Sequence, residues 1–431
     1  MNAGAAAPKF LPKIITTLSD GYKIGDFSRD ALAGLSVALV ALPLALAIAI
    51  ASGAPPVAGL VTAIVAGFLV SAFGGSRVQI GGPTGAFIVV VASVIHSYGY
   101  SGLVSATFMA GIILVIAGLL HAGSLIRYVP EPVISGFTFG IALIIATSQL
   151  AAFSGVHPEA GPPEFINTIT SLWVVRGTVN LEALAIGGLT MALIIIFRRL
   201  LPRFPGLVIA VAITSAIVGL AGLDVDTIGS RFGAIANVLP TPSLPDLSFA
   251  RMVELFPSAL IIAFLAGVES LLSAIVADRM SGNAHRAHTE VLAQGIANLG
   301  SAFFAGLPAT GAIARTATNV RSGGKTPVAG MAHAAFLALF MLLLGPLIAY
   351  LAMPALAAIL LLTAWSMAEP NRLMQRLQVR PEDTVLYILT FVLTLLVGLS
   401  IAIGVGVAIG LALRLRRRMV GEPKEWHPRD V

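Results

Sequence analysis

The chain has 431 residues, of which 57% are hydrophobic and only 11% are Asp, Glu, Lys or Arg. A soluble domain carries about 25% charged residues, so this composition argues against a soluble enzyme and excludes a disordered chain. The absence of cysteine excludes disulfides, thiolate metal sites and cysteine redox motifs.

Long stretches without charged residues predict membrane-spanning helices. Such stretches lie between Asp30 and Arg77 and between Arg77 and Arg127, and others cover 132–158, 204–223, 291–314, 326–368 and 384–413. A spanning helix needs about 20 apolar residues, so the longest stretches hold two segments each. We expect the divisions at Gly/Pro clusters, namely Ser52–Pro56, Gly345–Pro346 and 398–404. The count is seven segments before residue 224 and seven after residue 250.

These segments predict an all-α polytopic membrane protein with fourteen spans in two repeats. The predicted order is a cytoplasmic N-terminus at 1–29, spans at 30–152, two spans at 181–221, an external linker at 222–250, spans at 251–347 and 348–418, and a cytoplasmic tail at 419–431.

The distribution of basic residues predicts the orientation. If both termini are cytoplasmic, 22 of the 26 Lys and Arg residues fall on the inside, whereas Arg176, Arg231 and Arg251 fall outside and Arg315 lies within a span. This asymmetry fits the positive-inside rule of plasma-membrane (cell inner membrane) proteins. The basic run from Arg414 to Arg418 is therefore interpreted as a topology anchor, and no nucleic-acid partner is expected.

An internal repeat connects the two halves. Gly82-Pro83-Thr84-Gly85-Ala86 is echoed by Leu307-Pro308-Ala309-Thr310-Gly311-Ala312, and both copies precede a short apolar stretch. An odd number of spans per repeat inverts the second copy, and inverted repeats with interrupted helices are typical of transporters. Gly and Pro keep the chain extended before Thr84 and Thr310, so two half-helices would begin inside the bilayer. Their first amides lack intrahelical partners, which favours an anion as the ligand.

Only two charged side chains fall deep inside predicted spans, Glu269 and Arg315. Such residues are costly in a bilayer and usually mark a transport path. Arg315 would add a positive charge beside the half-helix ends. Glu269, with Ser273 one helical turn later, could hold Na⁺ as a metal ligand pair, or Glu269 alone could carry H⁺. The alternative interpretation is a structural ion pair between Glu269 and Arg315.

Other polar residues are weaker candidates. His333 is interpreted as a helix-packing residue, and His285 and His288 as solvent-exposed loop residues. Phe87 could form a wall of the site or part of the core. The sequence has no phosphate-binding loop or other nucleotide motif, so no cofactor is expected apart from a coupling H⁺ or Na⁺.

The sequence resembles the membrane domain of the SulP (sulfate permease, or solute carrier 26) anion transporters over residues 26–418. The resemblance rests on motifs at Asp30–Gly34 with Leu42-Pro43, Gly81–Phe87, Tyr128–Phe137, Glu269–Leu272 with Val276–Asp278, Glu290 with Gln294-Gly295, and Ala314–Thr316 with Gly324–Thr326.

The resemblance implies a uracil-permease-like fold of two inverted seven-segment repeats, with extended strands before the two half-helices. Spans 1–4 and 8–11 would form a core domain and the others a gate domain. The anion would bind at Thr84, Gly85, Ala86, Phe87, Gly311, Ala312, Ile313, Ala314 and Arg315. Glu269 and Ser273 fall where some members bind a coupling cation. The implied function is H⁺- or Na⁺-coupled transport of bicarbonate, sulfate, chloride or a dicarboxylate.

Two departures from the family pattern bear on function. Members usually continue into a cytoplasmic STAS domain, whereas this chain stops at Val431, so either the sequence is truncated or the protein has no STAS domain, and we expect a less secure homodimer. Leu44 follows Pro43 where many members have Gln, which removes one polar contact from the site. Three alternatives remain open: a passive anion channel or voltage-responsive motor, an anion exchanger, and a nucleobase symporter. Arg315 argues against the last, because a neutral base gains little from a fixed cation.

Overall fold

The computed structural model describes residues 10–419 apart from 122, 124–128, 160, 163, 202–204, 235 and 370–380. The described chain is mostly helical. The first half contains α1 Lys13–Ser19, α2 Ile24–Ala51, α3 Pro56–Phe73, α4 Ile88–Leu119, α5 Glu131–Ser154, α6 Phe165–Val174, α7 Leu181–Leu200 and α8 Gly206–Ala221. The second half contains α9 Ile228–Phe232, α10 Phe249–Ser281, α11 Ala287–Phe303, α12 Ile313–Arg321, α13 Pro327–Ile348, α14 Met353–Ala368, α15 Pro381–Leu396 and α16 Leu399–Met419.

The irregular elements are few. Within the described ranges, two short strands, β1 Gly81–Gly82 and β2 Thr310–Gly311, precede α4 and α12, and two 3₁₀ turns cover Gly85–Phe87 and Arg176–Thr178. Seven of the described helices are long and apolar enough to cross a membrane, and three shorter helices are also apolar. The prediction of an all-α polytopic membrane fold is therefore confirmed.

Backbone breaks divide the longest apolar stretches. α2 ends at Ala51 and α3 begins at Pro56, as the Ser52–Pro56 cluster predicted. α4 is interrupted by Gly99, whose φ of 71° leaves the helical region, and Gly398, at φ 108°, separates α15 from α16. With α4 divided at Gly99, and α1, α6 and α9 set aside as short helices, the described helices fit the predicted fourteen segments.

The predicted hinge at Gly345–Pro346 is wrong. α13 continues through Pro346 and ends at Ile348, and the chain turns at 349–352 instead. A proline near the end of a helix removes one hydrogen bond from the last turns, which the helix tolerates there better than in its middle.

Several predicted boundaries also shift. α2 begins at Ile24 rather than at residue 30, because Lys23 and Asp26 form a polar helix start ahead of the apolar segment. α10 begins at Phe249, before the expected 251. The predicted linker 222–250 contains α9 and is bonded to the turn before α14, since the amide of Gly229 donates to the carbonyl of Ala349 at 2.7 Å. The predicted tail beyond residue 419 lies outside the described residues.

The helices pack into two groups that each draw on both halves of the chain. In one group α2, α3 and α4 contact α10, α11 and α13; in the other α5 and α7 contact α14, and α5 also contacts α15. The groups meet where α2 contacts α14 and α8. Because helices of the first half pack against helices of the second half, the segment after α3 lies against the segment after α11.

Candidate functional site

The two interrupted segments pair with each other as a short antiparallel ribbon. Gly81 of β1 lies opposite Gly311 of β2, and Gly82 lies opposite Thr310. The ribbon continues by one bond, because the amide of Ala312 donates to the carbonyl of Ile80 at 2.8 Å. The sequence predicted extended chain before Thr84 and before Thr310; the second strand instead includes Thr310 and Gly311, so α12 begins at Ile313, later than expected. The structure adds that the two extended pieces satisfy each other's backbone groups. Such pairing is required inside a membrane.

Glycine is required on this ribbon because side chains pack tightly against its backbone. A Cβ atom at Gly82 would lie 2.0 Å from Arg315 Nη1, and one at Gly311 would lie 1.5 Å from Gln79 Nε2. Gly82 also has φ 146°, which a side chain disfavours. The glycines that suggested irregular backbone thus also let polar side chains reach the ribbon.

Each strand leads directly into a helix start that has no side-chain cap. Thr84 precedes the 3₁₀ turn that begins α4, and Ala312 precedes α12; both residues are extended, and neither start has a side-chain cap hydrogen bond. The first amides of a helix have no partner within it. Because the two strands pair antiparallel over only two residues each, the two helices start from opposite ends of one short ribbon. They combine free donors with two positive dipole ends.

Thr84 uses its hydroxyl for a contact with α10 instead of a cap. Thr84 Oγ1 donates to Glu269 Oε2 at 2.8 Å, and both residues are half-buried. One turn earlier on α10, the carbonyl of Ala266 accepts from Thr310 Oγ1 at 2.9 Å. α10 is therefore hydrogen-bonded to both interrupted segments, and its carboxylate contacts the residue that starts the first of them.

Ser273 lies deeper than Glu269. It is fully buried, and its hydroxyl is 3.3 Å from Thr316 Oγ1, which accepts from the amide of Ile80 at 3.1 Å. Ser273 thus contacts α12 behind the ribbon. No group of three or more Asp, Glu, His or Cys residues suited to a metal ion occurs in the part of the chain that the structure describes.

Arg315 is buried behind the ribbon, and only 1% of its surface is exposed. Its Nη1 lies 3.5 Å from the carbonyl oxygen of Gly81, whereas Nε and Nη2 have no hydrogen-bond partner among the described residues. The ion pair with Glu269 that was considered as an alternative is not found among the described ion pairs. The guanidinium therefore brings to the first turn of α12 a positive charge that no described acid neutralises.

The other predicted site residues divide by exposure. Ile313 and Ala314 are exposed at the start of α12, whereas Gly85, Ala86, Phe87, Gly311 and Ala312 are buried. A Cβ atom at Gly85 would lie 3.3 Å from Met367 Sδ on α14 and 3.7 Å from Ile145 Cδ1 on α5. The first helix start thus packs against the second helix group. The structure brings the predicted residues to one region, and their role in binding stays a prediction.

Buried polar side chains hold the ribbon in place, and sequence reasoning assigned them no role. The carboxylate of Glu290 is fully buried and accepts four hydrogen bonds, from the amides of Gly75 and Ser76, from Ser270 Oγ and from Gln294 Nε2. On the other side, Asn298 bonds the amide and carbonyl of Ala309, and Thr62 Oγ1 accepts from the amide of Leu307. In the sequence, each of these residues could have been noticed as a polar residue within an otherwise apolar segment.

Two histidine predictions have different outcomes. His333 is buried on α13, as a packing residue would be, but neither ring nitrogen has a hydrogen-bond partner. His285 and His288 were predicted to be solvent-exposed, and this is wrong: both are half-buried, and His285 Nδ1 lies 2.6 Å from Asp278 Oδ2. The acid at the end of α10 draws the ring of His285 against the protein.

Comparison with known proteins identifies the family. A model described as the sulfate permease family matches residues 27–390. The chain belongs to the sulfate permease family. A candidate sulfate transporter of Bacillus subtilis, YvdB, is 40% identical over 374 residues, which cover 86% of this chain and 71% of that protein. The bicarbonate transporter BicA of Picosynechococcus is 33% identical over 346 residues, which cover 77% of this chain and 60% of BicA.

Solved structures of family members share the fold. The transmembrane domain of a cyanobacterial bicarbonate transporter BicA aligns with a TM-score of 0.79 at 30% identity, covering 89% of this chain and 98% of that one. Murine Slc26a9, an anion transporter solved in the inward-facing state, aligns with a TM-score of 0.85 at 20% identity, covering 97% and 73% of the two chains. This sulfate permease family member is therefore a multi-pass membrane transporter rather than an enzyme.

Proposed function

We propose that the chain is a secondary active transporter that carries a small anion between the starts of α4 and α12. One observation carries this proposal: two uncapped helix starts follow the opposite ends of the short β1–β2 ribbon, next to a buried arginine that none of the described ion pairs includes. Amide donors and dipole ends attract a compact anion wherever they converge. The relatives named as sulfate and bicarbonate transporters support the same ligand class.

Arg315 sets the charge preference of this site. A buried guanidinium with two nitrogen atoms that have no partner among the described residues favours an arriving negative charge, because no described ion pair neutralises it. A neutral ligand would gain little from it. The exposed residues Ile313 and Ala314 lie on the first turn of α12, so a ligand can approach these amides. Bicarbonate, sulfate, chloride and dicarboxylates are all negatively charged and compact, so each suits this site.

Glu269 is the proposed coupling group. An inside-negative potential opposes anion uptake by about 2.3 kcal/mol per charge per 100 mV, so accumulation needs a coupled cation. Glu269 contacts Thr84 at the start of α4. Binding of H⁺ or Na⁺ to Glu269 would therefore change the surroundings of the anion site. Ser273, whose hydroxyl contacts Thr316 behind the ribbon, would be the second residue of the coupling-cation site.

Transport would proceed by alternating access. The first helix group, which holds the ribbon, would move as a core domain against the second group, which would serve as the gate. Gly85 contacts α5 and α14, so the bound anion would lie at the boundary that such a motion opens. We further propose a plasma-membrane location with both termini cytoplasmic, and assembly as a homodimer.

The test is uptake of radiolabelled sulfate and bicarbonate by proteoliposomes under imposed H⁺ or Na⁺ gradients, with competition by chloride and dicarboxylates. The proposal expects saturable uptake that one cation gradient drives. Glu269→Gln should abolish accumulation against a gradient, whereas Glu254→Gln, a half-exposed position on the same helix, should not. Large currents that do not saturate and depend on neither cation would instead establish a passive channel.

A further inference from the structure

A cavity lies where the ends of several helices from the two groups meet. Its volume is about 220 Å³, and it is lined by the last turn of α2, the end of α5 and the segment after it, the start of α14, and Arg231 of α9. The ends of α2 and α5 and the start of α14 meet here. With the termini cytoplasmic, this is the outer end of the molecule.

Two helices connect this cavity to the first helix start. On α5, Ile145 faces Gly85, and Ser148 and Gln149, one turn further on, line the cavity. On α14, Thr363 and Met367 lie near Gly85, and the first turns of the same helix line the cavity. One helical turn rises about 5.4 Å, so along these two helices the cavity begins roughly one or two turns from the first helix start.

Arg231 is the only charged residue among those that line this cavity. It is exposed, and no described ion pair includes it. Asp224 and Asp226 line a separate neighbouring cavity, where Asp226 Oδ2 lies 2.8 Å from His157 Nε2. The remaining lining is apolar except for Ser148 and Gln149. A cleft with low-dielectric walls and one sign of charge concentrates ions of the opposite sign.

The geometry points to an outer vestibule in which Arg231 attracts the transported anion before it reaches the two helix starts. This inference rests on the proposed function and adds a residue outside the predicted site. The apolar walls offer few donors, so the vestibule guides the anion without holding it tightly. Arg231 should therefore affect the apparent affinity for external anion and leave the maximal rate unchanged.

The absence of cysteine from the natural chain permits a direct test of the charge. Ser148→Cys introduces one thiol in the vestibule, and Thr241→Cys introduces one in the exposed linker outside it. Intact cells are treated with membrane-impermeant methanethiosulfonates of similar size, one carrying a sulfonate and one a trimethylammonium group. The ratio of the two reaction rates at Ser148→Cys, divided by the ratio at Thr241→Cys, reports the local charge. Ala51→Cys, on α2, serves as a second vestibule position if Ser148→Cys does not fold.

The inference expects the normalised ratio to favour the sulfonate reagent by about tenfold. Adding Arg231→Lys should preserve the preference, and adding Arg231→Glu should reverse it. Equal reactivity towards both reagents, a ratio that Arg231→Glu does not change, or no labelling of either vestibule thiol from outside would overturn it.

Uptake by the same cells separates this inference from the proposed function. Arg231→Ala should raise the KM for external anion several-fold at an unchanged maximal rate, whereas Arg176→Ala, which removes an external arginine outside the vestibule, should leave the KM unchanged. An unchanged KM for Arg231→Ala beside saturable wild-type uptake overturns the vestibule alone. Absence of anion uptake by the wild-type chain overturns the proposed function.

Discussion

The hydroxyl of Thr84 donates a 2.8 Å hydrogen bond to the carboxylate of Glu269. Thr84 starts the first of the two helices that we propose to hold the anion, and Glu269 is the acid that we propose to bind the coupling cation. A threonine before a helix normally accepts a bond from an amide of the first turn. Here it faces α10, which leaves those amides free and joins the two proposed sites by one contact.

Breaking this contact should weaken coupling more than anion binding. Thr84→Val keeps the side-chain shape but removes the hydroxyl, so Glu269 loses its described hydrogen-bond donor. We expect uptake by proteoliposomes to keep its KM within about threefold and to lose most of its dependence on the cation gradient. Thr84→Ser should retain coupling. Equal coupling in the valine and serine variants would show that the hydroxyl does not link the sites.

Removing the guanidinium of Arg315 should weaken anion binding strongly. A charge-assisted hydrogen bond contributes about 1.5–3 kcal/mol, so Arg315→Ala should raise the KM for the transported anion by about 10- to 150-fold. Arg321→Ala removes one positive charge from the exposed end of the same helix and should change the KM little. Concentration dependence of initial uptake rates measures both effects, and a wild-type KM in Arg315→Ala would remove this residue from the site.

The glycines of the ribbon should not accept even a methyl group. Gly82→Ala would place Cβ 2.0 Å from Arg315 Nη1, at a φ that alanine disfavours. We expect a loss on the order of 1–3 kcal/mol, visible as a lower midpoint of thermal unfolding in detergent. Gly219→Ala, on α8 with no atom within 4 Å of the added Cβ, should leave the midpoint unchanged or raise it slightly. Equal midpoints for the two variants would contradict the described packing.

Glu290 should stabilise the fold rather than take part in transport directly. Glu290→Gln replaces an acceptor oxygen by a donor that faces amides or hydroxyls that already donate. Unsatisfied buried groups cost roughly 1–3 kcal/mol each, so the variant should unfold at a lower temperature than the wild type. Protein that remains folded should keep the wild-type coupling ratio. A variant that is fully stable yet uncoupled would assign Glu290 to transport.

The sequence predicted the parts of the fold that depend on local composition. Uncharged stretches revealed the spans, and Gly and Pro near Thr84 and Thr310 revealed the interruptions. It did not predict that the interrupted pieces form a ribbon, because two-residue strands carry no periodic pattern. The hinge at Gly345–Pro346 was misplaced because a proline near a helix end need not break the helix.

The candidate site was only partly predictable for a physical reason. The repeat indicated that the helix starts near Thr84 and Thr310 come together, since inversion brings equivalent segments face to face. It did not indicate that Thr84 contacts Glu269, 185 residues away in the chain, because that contact depends on how α10 packs. Nor did it indicate that Arg315 lies behind the ribbon, where Gly82 makes room for its side chain.

The most direct test of the central claim is anomalous scattering from a heavy anion bound to the crystallised protein. Selenate replaces sulfate, and bromide replaces chloride, and each should give one strong peak within about 4 Å of the first amides of both helix starts, near Ala86 and Ala314. The peak should be absent from Arg315→Ala crystals. A strong peak elsewhere in the protein, with none between the two helix starts, would contradict the account.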